Sequence, residues 1–213
     1  MADSTIDMNQ IRSYFAGKLE QHGATPRGVD WNSTDSQETR FSQLAKVINH
    51  PGNSFSLLDF GSGFGSFYDY LISRKAAIKK YVGFDIVEGM VVKGRQMHSA
   101  TTGVEFFSKD EDLRCCDYVV ASGIFNIKLD TPQDDWTEYV IKTLSRMNEL
   151  ATRGFSFNLL TSYSDAEFMR PDLYYADPGL IFDVCKRSFA KNVAILHDYG
   201  LYDFTVIVRK QLD

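Results

Sequence analysis

The chain has 213 residues, 44% of them hydrophobic and 24% charged, with a formal net charge of −5. That length suits one domain able to bury roughly 70% of its unfolded surface, and the composition is that of a soluble globular protein rather than a disordered or fibrous one. The acidic balance speaks against a broad nucleic-acid footprint, no apolar run approaches the ~20 residues of a bilayer span, and Met1 to Gln10 lacks the basic start and apolar core of a secretory leader.

Met8 to Leu19 carries Met8, Ile11, Tyr14, Phe15 and Leu19 in a helical stripe. A loop punctuated by Gly23, Pro26 and Gly28 runs on to Trp31. Thr34-Asp35-Ser36 is expected to cap a second helix that buries Phe41, Leu44, Ala45, Val47 and Ile48, ended by Pro51-Gly52. From Phe55 onward strand and helix alternate. The spacing predicts a strand over 55–60 and a helix over about 65–76, then a strand over 81–86 and a helix over about 88–99. Short strands follow at 104–107 and 117–122. Thr131-Pro132 reads as cap and first residue of a long helix to about Arg153, with Gly154 as its stop. A fifth strand over 154–161, a long connection from Ser162 to Tyr175 and a helix capped by Asp177-Pro178 come next. Strands over 192–197 and 202–209, joined by Asp198 to Leu201, close the chain as an antiparallel hairpin.

Five strand–helix alternations and that hairpin describe an α/β fold. It is a Rossmann-like, doubly wound, seven-stranded sheet, mostly parallel, with helices on both faces. Cys115, Cys116 and Cys185 make neither a metal-ligand spacing nor an even disulfide set. Reduced thiols in the cytoplasm, with no metal, are the expectation.

The fold is organised around Ser56 to Tyr68, where an apolar strand gives way to an amphipathic helix through Gly61, Gly63 and Gly65. Glycine lets backbone approach a ligand closely, and the helix that follows presents unpaired N–H groups to whatever the turn holds. Such a turn cradles a cofactor. The dinucleotide fingerprint G-x-G-x-x-G is only partly met, because the third glycine falls one position early. Asp59 precedes the turn where a dinucleotide fold places an apolar residue, and Asp85 ends the second strand, where a carboxylate can accept both hydroxyls of a ribose.

The run Asp59-Phe60-Gly61-Ser62-Gly63-Phe64-Gly65 resembles the first motif of class I S-adenosylmethionine-dependent methyltransferases, an acid followed by G-x-G-x-G. The likeness extends over about residues 40–210 and includes the closing hairpin, whose last strand this family inserts between strands five and six. The resemblance implies S-adenosylmethionine as cofactor. It implies that Asp59 orients the aminoacid end and that Gly61, Ser62, Gly63 and Gly65 pass beneath the ribose and methionine portions. Asp85 then accepts the ribose hydroxyls, Ile86 packs on the adenine, Asp110 meets the adenine amine, and Ala121, Ser122 and Gly123 line the methionine side. It further implies two parts, a helical lid over residues 1–40 and a cofactor-binding domain over residues 41–213.

A sulfonium makes its methyl group electrophilic, so such an enzyme chiefly aligns a nucleophile behind it and excludes water. After strand four the sequence Ala121-Ser122-Gly123-Ile124-Phe125-Asn126 departs from the motif of base-directed amino-methyltransferases and holds no Pro-Cys nucleophile. With the acidic charge, this favours oxygen or nitrogen of a small-molecule acceptor, without nucleic acid or membrane as partner. The candidate catalytic groups are Asn126 and His197, the latter equally readable as an ordinary hairpin histidine. Candidate acceptor-binding residues are Tyr14, Arg27, Trp31, Phe125 and Asn158, with Asn158 also readable as a satisfied core amide. The insertion from Tyr163 to Tyr175, with Arg170, is expected to complete the pocket. A non-catalytic cofactor-binding subunit of the same fold stays open as an alternative, whereas the motif spacing speaks against a nicotinamide oxidoreductase.

Overall fold

The apolar runs become the parallel strands of one sheet, because a strand covered by helices on both faces must be apolar on both. In this computed structural model, which describes residues 6–31, 33–49 and 52–210, strands β1 (Phe55–Phe60), β2 (Ile78–Phe84), β3 (Val104–Phe107), β4 (Cys116–Ala121) and β5 (Ala151–Thr161) are mutually parallel. A two-residue strand β6 (Tyr175–Ala176) pairs parallel with the end of β5, Leu160 opposite Tyr175. Strands β7 (Asn192–Leu196) and β8 (Asp203–Arg209) form the antiparallel hairpin, and β8 inserts beside β5. The order β3-β2-β1-β4-β5-β8-β7 is the expected seven-stranded path, and β6 lies off it. Two residues in a long connection carry no periodicity, so β6 was not foreseen.

The helices are α1 (Met8–His22), α2 (Thr34–Leu44), α3 (Ser66–Ser73), α4 (Glu88–Met97), α5 (Gln133–Leu150) and α6 (Pro178–Ser188). Alternation along the strands splits the core in two. Leu58, Val82 and Val119 pack with Trp136, Val140, Leu144 and Met147 of α5 and Ile181 of α6. Their neighbours Leu57, Tyr81 and Val120 pack on the other face with Phe41 and Leu44 of α2, Phe67 and Leu71 of α3, and Val91 of α4.

Asp177 caps α6 as expected, accepting from the N–H groups of Gly179 and Leu180 with Pro178 at the first position. The cap of α2 is Ser33 rather than Thr34, its hydroxyl accepting from the Ser36 N–H. Helix α5 ends at Leu150, and Ala151 turns directly into β5. Gly154, expected as a helix stop, therefore lies inside the strand, paired with Tyr118 and Arg209. Among the described residues no helix is long and apolar enough to cross a membrane, and no group of three or more His, Cys, Asp or Glu residues is arranged to hold a metal ion.

Candidate active site

Open α/β sheets bind ligands at the carboxyl ends of the strands, where the chain order reverses. Here that point lies between β1 and β4, and it opens into a cavity of about 650 Å³ roofed by residues of α1, α2 and the loop between them.

The glycine turn forms one wall. After β1 the chain leaves the sheet at Gly61, where φ is +88°, and the N–H groups of Gly61 and Ser62 both donate to the Phe84 carbonyl at 2.7 and 2.9 Å. A Cβ on Gly61 would lie 2.1 Å from Ile124 Cγ2, so both the backbone and the space require glycine. The Gly63 N–H donates to Asp85 Oδ2 at 2.9 Å, and the Val87 N–H donates to Asp85 Oδ1 at 2.9 Å. Asp85 thus ties the turn after β1 to the end of β2 while its side chain stays on the cavity wall.

Asp59 is 2% exposed and accepts from the Tyr81 hydroxyl at 2.7 Å. Burial pushes its pKa up to about 7, against the Tyr81 hydrogen bond, and the nearby Asp85 charge adds to the rise. Burial likewise raises Asp85 to about 6, against the N–H groups of Val87 and Gly63. Two carboxylates held this high on one cavity wall are a site prepared to receive positive charge and hydroxyl groups.

The loop after β4 forms the facing wall. The Ser122 hydroxyl and the Asn126 Oδ1 atom are buried and have no hydrogen-bond partner among the described residues. Buried polar atoms are normally satisfied, so two orphans on the wall of one cavity fit a site built for a polar ligand. Gly123 is held from behind. Its N–H donates to Asn158 Oδ1 at 2.8 Å, and Asn158 Nδ2 donates to Asp203 Oδ1 at 3.1 Å. Asp203 Oδ2 accepts from Arg40 Nε and Nη2 at 3.1 and 2.5 Å. The Arg40 guanidinium stacks 4.3 Å from the Trp31 ring centre, and Trp31 packs back against Gly123. A closed chain of contacts therefore joins the β4 loop, β5, β8, α2 and the roof.

Of the residues singled out in the sequence, Asp59, Gly61, Ser62, Gly63, Asp85, Ile86, Ser122, Gly123, Asn126 and Trp31 all line the cavity. The others do not. Asp110 opens a short helical turn and is engaged by Arg146 at 3.1 Å, which takes its carboxylate out of the site. Phe125 is fully buried beneath the loop, its carbonyl accepting from the Trp136 indole. Asn158 is fully buried too and acts through Gly123 rather than at the wall. Gly65 begins α3 and faces His98 and Phe106, and Ala121 is covered within the core. Tyr14 points to Asp30, to which it donates at 2.7 Å, and Arg27 is exposed away from the wall. His197 is exposed beyond the hairpin, between Tyr163 and Phe204.

Arg40 and Asp203 went unforeseen, 163 positions apart. The signal available was an aspartate opening the otherwise apolar run Phe204-Thr205-Val206-Ile207-Val208 and an arginine beside the buried Phe41. Neither feature names its partner.

No family model matches the chain. A Mycobacterium tuberculosis protein (strain ATCC 25618 / H37Rv), Rv1506c, classed provisionally as a methyltransferase, is 45% identical over 165 residues, covering 78% of this chain and 98% of its own length. Magnesium protoporphyrin IX methyltransferase from Synechocystis PCC 6803, solved with bound S-adenosylmethionine, matches with a TM-score of 0.68 at 16% identity, over 99% of this chain and 100% of that one. N-methyltransferase NodS from Bradyrhizobium japonicum WM9, solved with S-adenosylhomocysteine, matches with a TM-score of 0.66 at 12% identity, over 93% and 97%. On the identity with the mycobacterial protein across nearly its whole length, and on the shared fold, the chain belongs to the class I S-adenosylmethionine-dependent methyltransferases.

Proposed function

We propose that the chain moves the methyl group of S-adenosylmethionine to an oxygen or nitrogen of a small-molecule acceptor. The observation that carries this reading is the cavity itself, in which the glycine turn and its two raised carboxylates are continuous with a chamber at the mouth. Asp59 would hold the aminoacid end of the cofactor, Asp85 the ribose hydroxyls, Ile86 the adenine, and Ser122 and Gly123 the methionine side. Bound there, the cofactor supplies an electrophilic methyl group. The chain's own residues position the acceptor, with Asn126 at the wall, and exclude water, which is where most of the rate of such a transfer arises. Residues 6–40 act in this reading as the lid, through Ile11, Phe15, Trp31, Gln37 and Arg40 on the roof. The boundary expected at 40/41 falls inside α2.

Calorimetric titration with S-adenosylhomocysteine and with NAD tests the cofactor assignment. Micromolar binding of the first and none of the second is expected, and the reverse would overturn it. Release of S-adenosylhomocysteine from S-adenosylmethionine with a panel of hydroxyl- and amine-bearing small molecules tests the transfer. Cofactor binding with no acceptor in any class would favour the non-catalytic subunit. Gly61→Ala is expected to weaken S-adenosylhomocysteine binding at least about tenfold, because the new Cβ meets Ile124 in a backbone conformation that costs roughly 1–2 kcal/mol for a non-glycine residue.

The raised carboxylates give a pH dependence of definite sign. Their folded pKa values exceed those of an unfolded chain, so the folded protein keeps their protons longer. Ionisation therefore subtracts stability as pH rises from about 4 through about 6 and about 7. A ligand ammonium at Asp59 and ribose hydroxyls at Asp85 both favour the ionised forms, so binding expels protons. Affinity for S-adenosylhomocysteine is expected to rise from about pH 5.5 to about pH 7.5 and then level off. Calorimetry in two buffers of different ionisation enthalpy would show the proton release. A flat profile with no release would remove both carboxylates from the cofactor.

A further inference from the structure

We infer that the acceptor carries an uncharged, apolar body, which leaves the cavity across a rim formed by Phe168 and Tyr202. This inference rests on the methyltransferase reading above and names the acceptor's class.

Beyond the glycine turn the cavity wall changes character. It is made by Tyr139, Leu160, Leu173, Tyr175 and Leu201, and it includes the rings of Phe168 and Tyr202. Those two rings line the cavity and also face outward, being 61% and 43% exposed, with centroids 6.2 Å apart. Two of the eight large apolar side chains exposed among the described residues therefore stand together at one opening. Concentrated exposure of this kind, continuous with a cavity, marks a surface that a ligand covers.

The rim is also anchored. The Tyr202 hydroxyl donates to the Asp165 carboxylate, Ala166–Phe168 form a tight helical turn, and the Arg170 N–H donates to the Tyr175 hydroxyl at 3.0 Å. Aromatic rings fixed in place present contact area at low entropic cost.

The charges on this wall point the same way. Arg170 is its cation, and Asp172 takes the guanidinium through Nε at 3.1 Å and Nη2 at 2.5 Å. Arg40, deeper in, is held by Asp203. Each cation on this wall thus already faces a carboxylate, so an acceptor bearing phosphate or several carboxylates would meet no unpaired positive charge here. A neutral body with a single hydroxyl or amine needs none.

The test uses the whole chain saturated with S-adenosylhomocysteine, so that the cofactor portion of the cavity is filled. Two probes are titrated by calorimetry: 2-naphthol, flat and apolar with one hydroxyl, and glucose, of similar size and polar throughout. Saturable binding of 2-naphthol and none of glucose is expected. The double variant Phe168→Ser/Tyr202→Ser should weaken 2-naphthol about tenfold and leave S-adenosylhomocysteine affinity unchanged. Glucose binding as tightly as 2-naphthol, no saturable binding of 2-naphthol, or equal affinity in the double variant would each overturn the inference. Two further arms identify other occupants. Sedimentation with phosphatidylcholine vesicles, or a dimer in analytical ultracentrifugation, that is abolished by the double variant while 2-naphthol affinity is unchanged would assign the rim to a membrane or to a second copy, and the inference fails. A loss of S-adenosylhomocysteine binding in the wild type would instead strike at the cofactor assignment beneath it.

Discussion

Asp85→Ala is expected to weaken S-adenosylhomocysteine binding by about one to two orders of magnitude, because hydrogen bonds to a charged acceptor are worth roughly 1.5–3 kcal/mol. The structure adds a second reason to the one that strand position supplies. The Asp85 carboxylate accepts both the Gly63 and the Val87 N–H groups, so its removal loosens the glycine turn as well as the ribose contact proposed for it. Asp85→Asn separates the two effects. The amide oxygen can still accept one N–H, and the charge is lost, so an intermediate affinity is expected. Its pH dependence should be reduced, because the group that titrates near 6 is gone. Melting curves of the free protein control for folding. Affinity unchanged in Asp85→Ala would take this residue out of the cofactor site.

Asp203→Ala should be the most destabilising single change in the cavity. Arg40 is buried at 9% exposure and Asp203 at 1%, and removing one partner of a buried pair strands the other charge at a cost of about 3–5 kcal/mol. For a chain of this size that lowers the melting temperature by roughly 6–20 °C. Replacing the whole pair, as Arg40→Met/Asp203→Leu, is expected to recover most of the loss, since apolar groups of similar volume often substitute for a buried ion pair at little cost. It should not recover S-adenosylhomocysteine affinity. Asn158 then lacks the Asp203 oxygen that orients it, and the Gly123 N–H and the Trp31 ring lose their support. Thermal melts and calorimetry on both variants give the two readouts. A double variant that binds like the wild type would reduce the pair to a structural role.

Much of the fold and the nearer half of the site were legible in the residues. The apolar runs of β1, β2, β4 and β5, the Asp177-Pro178 cap and the Gly61-Ser62-Gly63 turn are each set by chemistry within a few positions. The placement of Asp59 and Asp85 follows from the same local patterns, because a strand end and a turn fix where their carboxylates stand. What lay beyond reach were choices between partners. Asp110 and Asp85 both follow a strand, but Arg146 on α5 captures one and the glycine turn receives the other. His197 and Asn126 both sit past strand ends, yet the hairpin carries the first outside while the β4 loop buries the second.

The sequence by itself determined the strand and helix order, the glycine turn with its two flanking acids, and through them the cofactor class. The tertiary structure alone decided that Arg40 meets Asp203, that Asn158 bonds the Gly123 N–H, and that Phe168 and Tyr202 stand side by side on the cavity wall. The physical reason is range. A turn or a cap is a contest among neighbours in the chain, whereas a buried ion pair or an aromatic rim depends on register and packing between elements that only folding brings together.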